Sequence, residues 1–187
     1  MQTAVLDACV LFRNGVRDFL LWVAEAGAFT PVWSDTIHNE WMENRHKKFG
    51  DPRAGLLRTR THMENAFPGS NFDPDATILR TISLPDPNDV HVVATAVAAE
   101  ATTIVTYNGK DFPDKILVSL GLDKEEPDNF CVRLFSNAQI EVIEGARLHR
   151  DSLTKPRYDQ RAYVDHVEAK LELKLTAQRL RPFQRHL

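Results

Sequence analysis

The residues in this chain best suited to chemistry are carboxylates set against apolar sequence. Asp7 interrupts the run "TAVLDACVLF" at residues 3–12. A charge buried there without partners is costly, so the fold must either supply partners or keep the group out of the core. Asp86 and Asp89 open a second apolar segment, "LPDPNDVHVVATAVAAE", and Asp111 follows a third, "TTIVTYNGKDFP". Glu40 lies between Ile37 and Trp41 in "SDTIHNEW". Open α/β sheets build their sites at the carboxyl ends of the strands. If the strands ending near Asp7 and Thr106 are neighbours, then Asp7, Glu40, Asp89 and Asp111 converge on one pocket. Carboxylates at ~4–6 Å repel by several kcal/mol per pair, and a divalent cation relieves that repulsion. An all-oxygen ligand set suits Mg²⁺ or Mn²⁺, and such a site suits hydrolysis of a phosphodiester.

Each acid also has a plainer reading. Asp7 at a strand end can cap the next helix, and Glu40 can sit on a solvated face. Asp89, three residues after Asp86, fits a capping role, while Asp86 itself reads as an N-cap, a support for the site or a ligand. Asp111 can simply make a turn. His91 reads as structural in the first turn of its helix, and Cys9 reads as core.

The elements that must position these groups are legible from periodicity and punctuation. Residues 4–6 read as a buried strand that continues into "ACVLF". Residues 15–26 form a helix with Val16, Phe19, Leu20 and Val23 on one face. Residues 29–33 are extended, and Ser34 caps a second helix carrying Ile37, Glu40 and Trp41. Gly50-Asp51-Pro52 separates that helix from the next, which carries Leu56, Leu57, Met63 and Phe67. "PGSNFDPD" is a loop. Asp86 and Pro87 start a helix running to about Glu100, followed by a buried strand at residues 102–106 and a loop, "NGKDFP". A further helix begins near Pro127.

Alternation of strands and helices over residues 1–135 predicts an α/β fold, a parallel sheet sandwiched by helices, while residues 136–187 predict a helical, amphipathic C-terminal extension broken at Lys155-Pro156. The stretch "RHKKFGDPRAGLLRTRTH" holds six Lys or Arg against one acid, Asp51. It is either a solvated face or a contact for an RNA backbone through Arg45, Lys47, Lys48, Arg58 and Arg60, or for acidic residues of a partner.

The bulk numbers exclude little else. At 187 residues, 43% hydrophobic and 26% charged, with a formal net charge of -3, the chain has the composition of a globular protein. No apolar run approaches the ~20 residues of a membrane span, and no leader-like segment precedes the first strand, so a cytoplasmic protein is expected. The two cysteines, Cys9 and Cys131, lack the spacing of a sulfur-rich zinc site and frame no disulfide scaffold.

"AVLDACVLF", "SDTIHNEW" and "LPDPNDVHVVATAVAAEATTIVTYNGKDFP" together resemble the successive motifs of PIN-domain nucleases, over about residues 1–135. The tail, with "RLHRDSL" and "KPRYDQRAYVDHVEA", is similar to extensions of a PIN subgroup of VapC-type toxins from type II toxin–antitoxin pairs. The resemblance implies a Rossmann-like fold and Mg²⁺- or Mn²⁺-dependent endoribonuclease activity. It places the acids of the family on Asp7, Glu40 and Asp89. Many members carry Asp where this chain has Asn108, so the fourth acid is assigned to Asp111, with Asn108 and Thr106 orienting water or phosphate. It further implies an RNA substrate, a cognate antitoxin and a homodimer.

Two other chemistries on parallel sheets fit poorly. A phosphoacceptor receiver domain needs a Lys after a later strand, and Lys110 lies in a loop. A haloacid-dehalogenase phosphatase needs a second Asp two residues after the first, where this chain has Cys9. A PIN scaffold of weak activity that grips RNA or a protein remains the main alternative to a nuclease.

Overall fold

The computed structural model describes residues 2–187. Four parallel strands form one sheet in the order β2-β1-β3-β4: β1 Thr3–Leu6, β2 Thr30–Val32, β3 Thr103–Val105 and β4 Asp123–Glu125. The register pairs Leu6 with Val105 and Val5 with Val32. β1 is central, and Ala4, Val5, Leu6, Ile104 and Val105 are fully buried, as strands covered on both faces require. The fold is α/β with a parallel sheet flanked by helices, and it includes a helical C-terminal part, as the sequence predicts.

The chain divides into two compact units, one of Gln2–Phe12 with Thr30–Glu125 and one of Arg13–Phe29 with Glu126–Leu187. In the sheet unit, β1 does not continue through "ACVLF" as expected. It stops at Leu6, and α1, Ala8–Leu11, begins at once, because the Asp7 carbonyl accepts from the Val10 and Leu11 amides. The helix α3, Asp35–Phe49, starts where Ser34 Oγ accepts from the Ile37 amide at 3.3 Å. It ends at Gly50, whose φ of 70° is the left-handed conformation that glycine adopts without strain. Then come α4, Arg53–Ala66, and α5, Ala76–Thr81, which is capped by Asp75. The α5 helix was not anticipated, being a single short turn-and-a-half with one buried residue, Ile78. Asp86 caps a 3-10 turn at Pro87–Asp89 that leads into α6, Val90–Ala98, packed on β1 and β3. A 3-10 turn at Gly109–Asp111 and α7, Asp114–Ser119, precede β4. The β4 segment, "DKE", carries no apolar alternation; its pairing to β3 alone makes it a strand.

The other unit is helical. It holds α2, Asn14–Glu25, together with α8, Pro127–Asn137, α9, Gln139–Ser152, α10, Gln160–Ala169, and α11, Lys174–Leu180. α2 packs on α9 so closely that a Cβ on Gly145 would stand 2.5 Å from Val23 Cα. Asp128 ties α8 to α11 by accepting from the Leu175 and Thr176 amides, each at 2.8 Å. His149 Nδ1 and Tyr163 Oη lie 2.9 Å apart in its core, and burial pushes the imidazole down to about 4. No helix among the described residues is long and apolar enough to cross a membrane.

Candidate active site

The pairing of β1 with β3 sets the site. It brings the residue after each strand, Asp7 and Thr106, into contact, and the Asp7 amide donates to the Val105 carbonyl at 3.1 Å. Thr106 Oγ1 donates to Asp7 Oδ2 at 2.6 Å, and Cys9 Sγ donates to the same oxygen at 3.1 Å. The Tyr107 amide in turn donates to Cys9 Sγ at 3.2 Å, and the Asn108 amide donates to Thr106 Oγ1 at 2.9 Å. Asp7, Cys9, Thr106, Tyr107 and Asn108, from two separate segments of the chain, are thus linked around one carboxylate.

Asp7 is only 2% exposed. Burial holds its carboxyl above the ordinary carboxylate range, opposed by the Thr106 and Cys9 hydrogen bonds and reinforced by the charge of Glu40. It occupies the N-cap position of α1, yet its side chain makes no bond to the later amides of that helix, so capping does not account for it. Cys9, expected in the core, is half-buried and serves as a donor to Asp7. Burial and the neighbouring Asp7 charge push the thiol up to about 12, which keeps its proton in place.

Asp89 is buried, makes no cap hydrogen bond, and takes part in no ion pair among the described residues. Its carboxyl is pushed up to about 6, first by burial and then by the charges of Asp7, Asp86, Asp111 and Glu40. The other four acids singled out in the sequence thus all act on this one carboxyl group. Asp86 is engaged locally, with Oδ1 accepting from the Asn88 amide at 2.9 Å and from Asn88 Nδ2 at 3.0 Å. Its place is therefore at the margin, as cap. Asp111 is half-buried in the turn after β3. Lys124 of β4 steadies that turn by donating to the Gly109 carbonyl at 2.7 Å and the Phe112 carbonyl at 2.5 Å.

Glu40 is half-buried on α3, and His91 Nε2 stands 3.4 Å from its Oε2. His91 Nδ1 is buried without a hydrogen-bond partner. His91 and Cys9 thus touch the acids, a role missed in the sequence. Their signal was spacing alone: each lies two residues after an acid, at the start of a helix. Asn108 is exposed, and its backbone amide rather than its side chain makes the contact to Thr106.

The donor set fits a hard divalent cation in its chemistry, being all oxygen, partly desolvated and, among the described residues, without a Lys or Arg paired to Asp7, Asp89 or Asp111. Among the described residues, no group of three or more His, Cys, Asp or Glu is placed to hold a metal ion as the side chains stand. The carboxylates share one electrostatic neighbourhood without closing a cage.

The predicted RNA-contacting residues are all on α3 and α4, and several are tied to acids, either Asp51 within the basic stretch or acids outside it. Arg45 Nε pairs with Asp51 at 2.5 Å, Lys47 with Glu43 at 3.5 Å, and Arg60 with both Asp35 at 2.5 Å and Glu64 at 2.8 Å. Lys48 and Arg58 are exposed and in no ion pair among the described residues.

The chain matches no curated protein and no solved structure. A family profile described as PIN domain matches residues 2–110, which takes in β1, α3, the Asp86–Asp89 turn and β3, and with them Asp7, Glu40, Asp86 and Asp89 but not Asp111. With more than half its length matched and the family's parallel α/β sheet in place, the chain belongs to the PIN domain family, whose members are generally nucleases that work with divalent metal ions.

Proposed function

We propose that the protein is a metal-dependent endoribonuclease. The observation that carries this is Asp89: a buried carboxyl in no ion pair among the described residues, raised to about 6 by burial and by the charges of Asp7, Asp86, Asp111 and Glu40. A fold that gathers negative charge in this way gains from a cation. Asp7, Asp89 and Asp111 would hold Mg²⁺ or Mn²⁺, with Glu40 as a further ligand or as the group that positions water. Such a cation supplies a more acidic water and neutralises charge on the phosphate.

The chain's own residues do the remaining work. Thr106 and Cys9 both donate to Asp7 Oδ2, which leaves Oδ1 as the oxygen available to a ligand. Glu40, beside His91, is the acid placed to receive a proton from water attacking in line. Cleavage then leaves a 5′-phosphate and a 3′-hydroxyl. Lys and Arg of α3 and α4 hold the RNA backbone in a salt-sensitive way.

The finer reading is that of a VapC-type toxin in a type II toxin–antitoxin pair. Its basis is the resemblance of the tail, and the acidic pocket offers an antitoxin a seat for a basic side chain. The core forms a homodimer, and the protein works in the cytoplasm. Purified protein with Mn²⁺ and an unstructured RNA tests the activity: metal-dependent internal cleavage is expected, absent with a chelator and in Asp7→Asn. A second reading, a scaffold that binds without cutting, is favoured by Asn108, which is exposed and brings no acid to the site. Tight binding of diverse RNAs that stay intact with Mn²⁺ decides for the scaffold.

A further inference from the structure

The acidic cluster does not account for four side chains at the C-terminal end of α3. Phe49, the last residue of that helix, is 55% exposed. Phe12, at the end of α1, stacks on it with ring centroids 5.6 Å apart and planes 26° from parallel. Arg45 Cζ stands 5.0 Å from the Phe49 centroid and 5.6 Å from that of Phe12. Lys48 Nζ is 5.5 Å from Phe12 and 5.6 Å from Phe49.

Basic residues in the last turn of a helix suit its dipole, which explains His46, Lys47 and Lys48 as charges. The dipole does not explain an exposed ring stacked on another, with cations beside both. The guanidinium of Arg45 is fixed by Asp51 and by the Phe12 carbonyl at 2.9 Å. Lys48 has no carboxylate partner among the described residues, so its charge is available to a ligand. A π surface with a neighbouring uncommitted cation is complementary to a planar base that carries a phosphate. Bases inside a duplex are stacked on one another and closed to such contact, whereas unpaired bases are open to it.

The rings also share their elements with the acids. Phe12 ends the helix that Asp7 begins, and Phe49 lies nine residues beyond Glu40 on α3, about 13 Å along its axis. A few nucleotides at ~3.4 Å each span that interval.

We propose that Phe12 and Phe49, flanked by Arg45 and Lys48, form a stacking platform for an unpaired base of single-stranded RNA, a few nucleotides from the acidic pocket. The choice of RNA rests on the nuclease reading above.

Binding measured with a chelator present separates the platform from catalysis. Fluorescence anisotropy with a labelled, unstructured oligoribonucleotide is expected to show Phe49→Ala weakening affinity about tenfold with the salt slope unchanged, and Phe49→Trp restoring it. Lys48→Ala is expected to lower the salt slope by about one. A strand with an abasic tract, or a duplex of the same sequence, is expected to bind parent and Phe49→Ala alike. Phe49 is exposed, so an unchanged melting curve for Phe49→Ala verifies the fold. The proposal is overturned if Phe49→Ala binds the single strand like the parent, or loses as much affinity for the abasic strand; the ring pair then belongs to a protein partner. If Phe49-dependent binding is present but RNA stays whole with Mn²⁺, the platform stands and the nuclease reading fails. Cleavage with Phe49-independent binding gives the reverse.

Discussion

Thr106 and Asp7, 99 positions apart in sequence, are joined by a 2.6 Å hydrogen bond at the carboxyl ends of adjacent parallel strands. Thr106 donates its one proton to Asp7 Oδ2 while its oxygen accepts from the Asn108 amide. The hydroxyl therefore fixes both the carboxylate and the start of the loop that carries Asp111.

Replacing Thr106 with Val removes both bonds at once and leaves the buried Asp7 Oδ2 with the weak Cys9 thiol as its remaining side-chain donor among the described residues. A loss of about 1–3 kcal/mol is expected, or several degrees in melting temperature for a chain of this size. Thr106→Ser keeps the hydroxyl and is expected to recover most of both stability and metal-dependent cleavage. Thermal melts and single-turnover assays on the two variants check this, and a Ser variant as impaired as Val would mean that the methyl group, not the hydroxyl, matters.

Asp7→Asn removes a buried charge whose carboxyl already resists ionisation. Metal-free protein is expected to melt at the same or a higher temperature, and the stabilisation on adding Mn²⁺, a consequence of binding only to the folded state, is expected to shrink. Differential scanning with and without chelator reads both. A melting temperature several degrees lower without metal would mark Asp7 as a structural residue.

Stability without metal should depend on pH through Asp89. Its carboxyl sits at about 6 in the folded chain against an ordinary 3.8, so the folded state holds the extra proton between those values. The resulting stabilisation is complete below about pH 4 and is lost as pH rises through 6. His149 pulls the other way in much of the same window, since its folded value of about 4 lies below the ordinary 6.5 and the unfolded chain takes the proton. The difference between parent and Asp89→Asn isolates the acid. The variant is expected to gain on the parent as pH rises from 4 to 7, measured by urea unfolding in chelator; a constant difference across that range would count against the acidic cluster.

Gly145 tests the helical unit. A Cβ there meets Val23 Cα at 2.5 Å and the Trp22 carbonyl at 2.8 Å, contacts that backbone cannot relieve without α2 and α9 moving apart. Gly145→Ala is expected to cost about 1–3 kcal/mol despite the better helix propensity of alanine. Urea denaturation measures the cost, and a variant as stable as the parent would show that the helices can separate freely.

Much of the sheet unit was legible in the sequence because its signals are local. Apolar runs of three to four residues at Thr3–Leu6 and Thr103–Val105, the Ser34 and Asp86 caps and the Gly50 stop each act on their own neighbours. The charged strand Asp123–Glu125 and the helix Ala76–Thr81 were not legible, since hydrogen bonding to β3 makes the first and docking on α6 the second. The turn to helix at Asp7 was missed for a related reason: "ACVLF" is as apolar as a strand, and periodicity does not separate a short buried helix from a strand.

The sequence by itself determined which residues are acidic, that several follow or precede apolar segments, and that the chain alternates strands with helices. It could not decide that β1 and β3 are neighbours, because pairing across 99 positions depends on how the whole unit closes. That one adjacency makes Asp7 a partner of Thr106 and puts its charge, with those of Asp86, Asp111 and Glu40, onto Asp89. Electrostatic crowding depends on distance in space, and only the folded chain sets those distances.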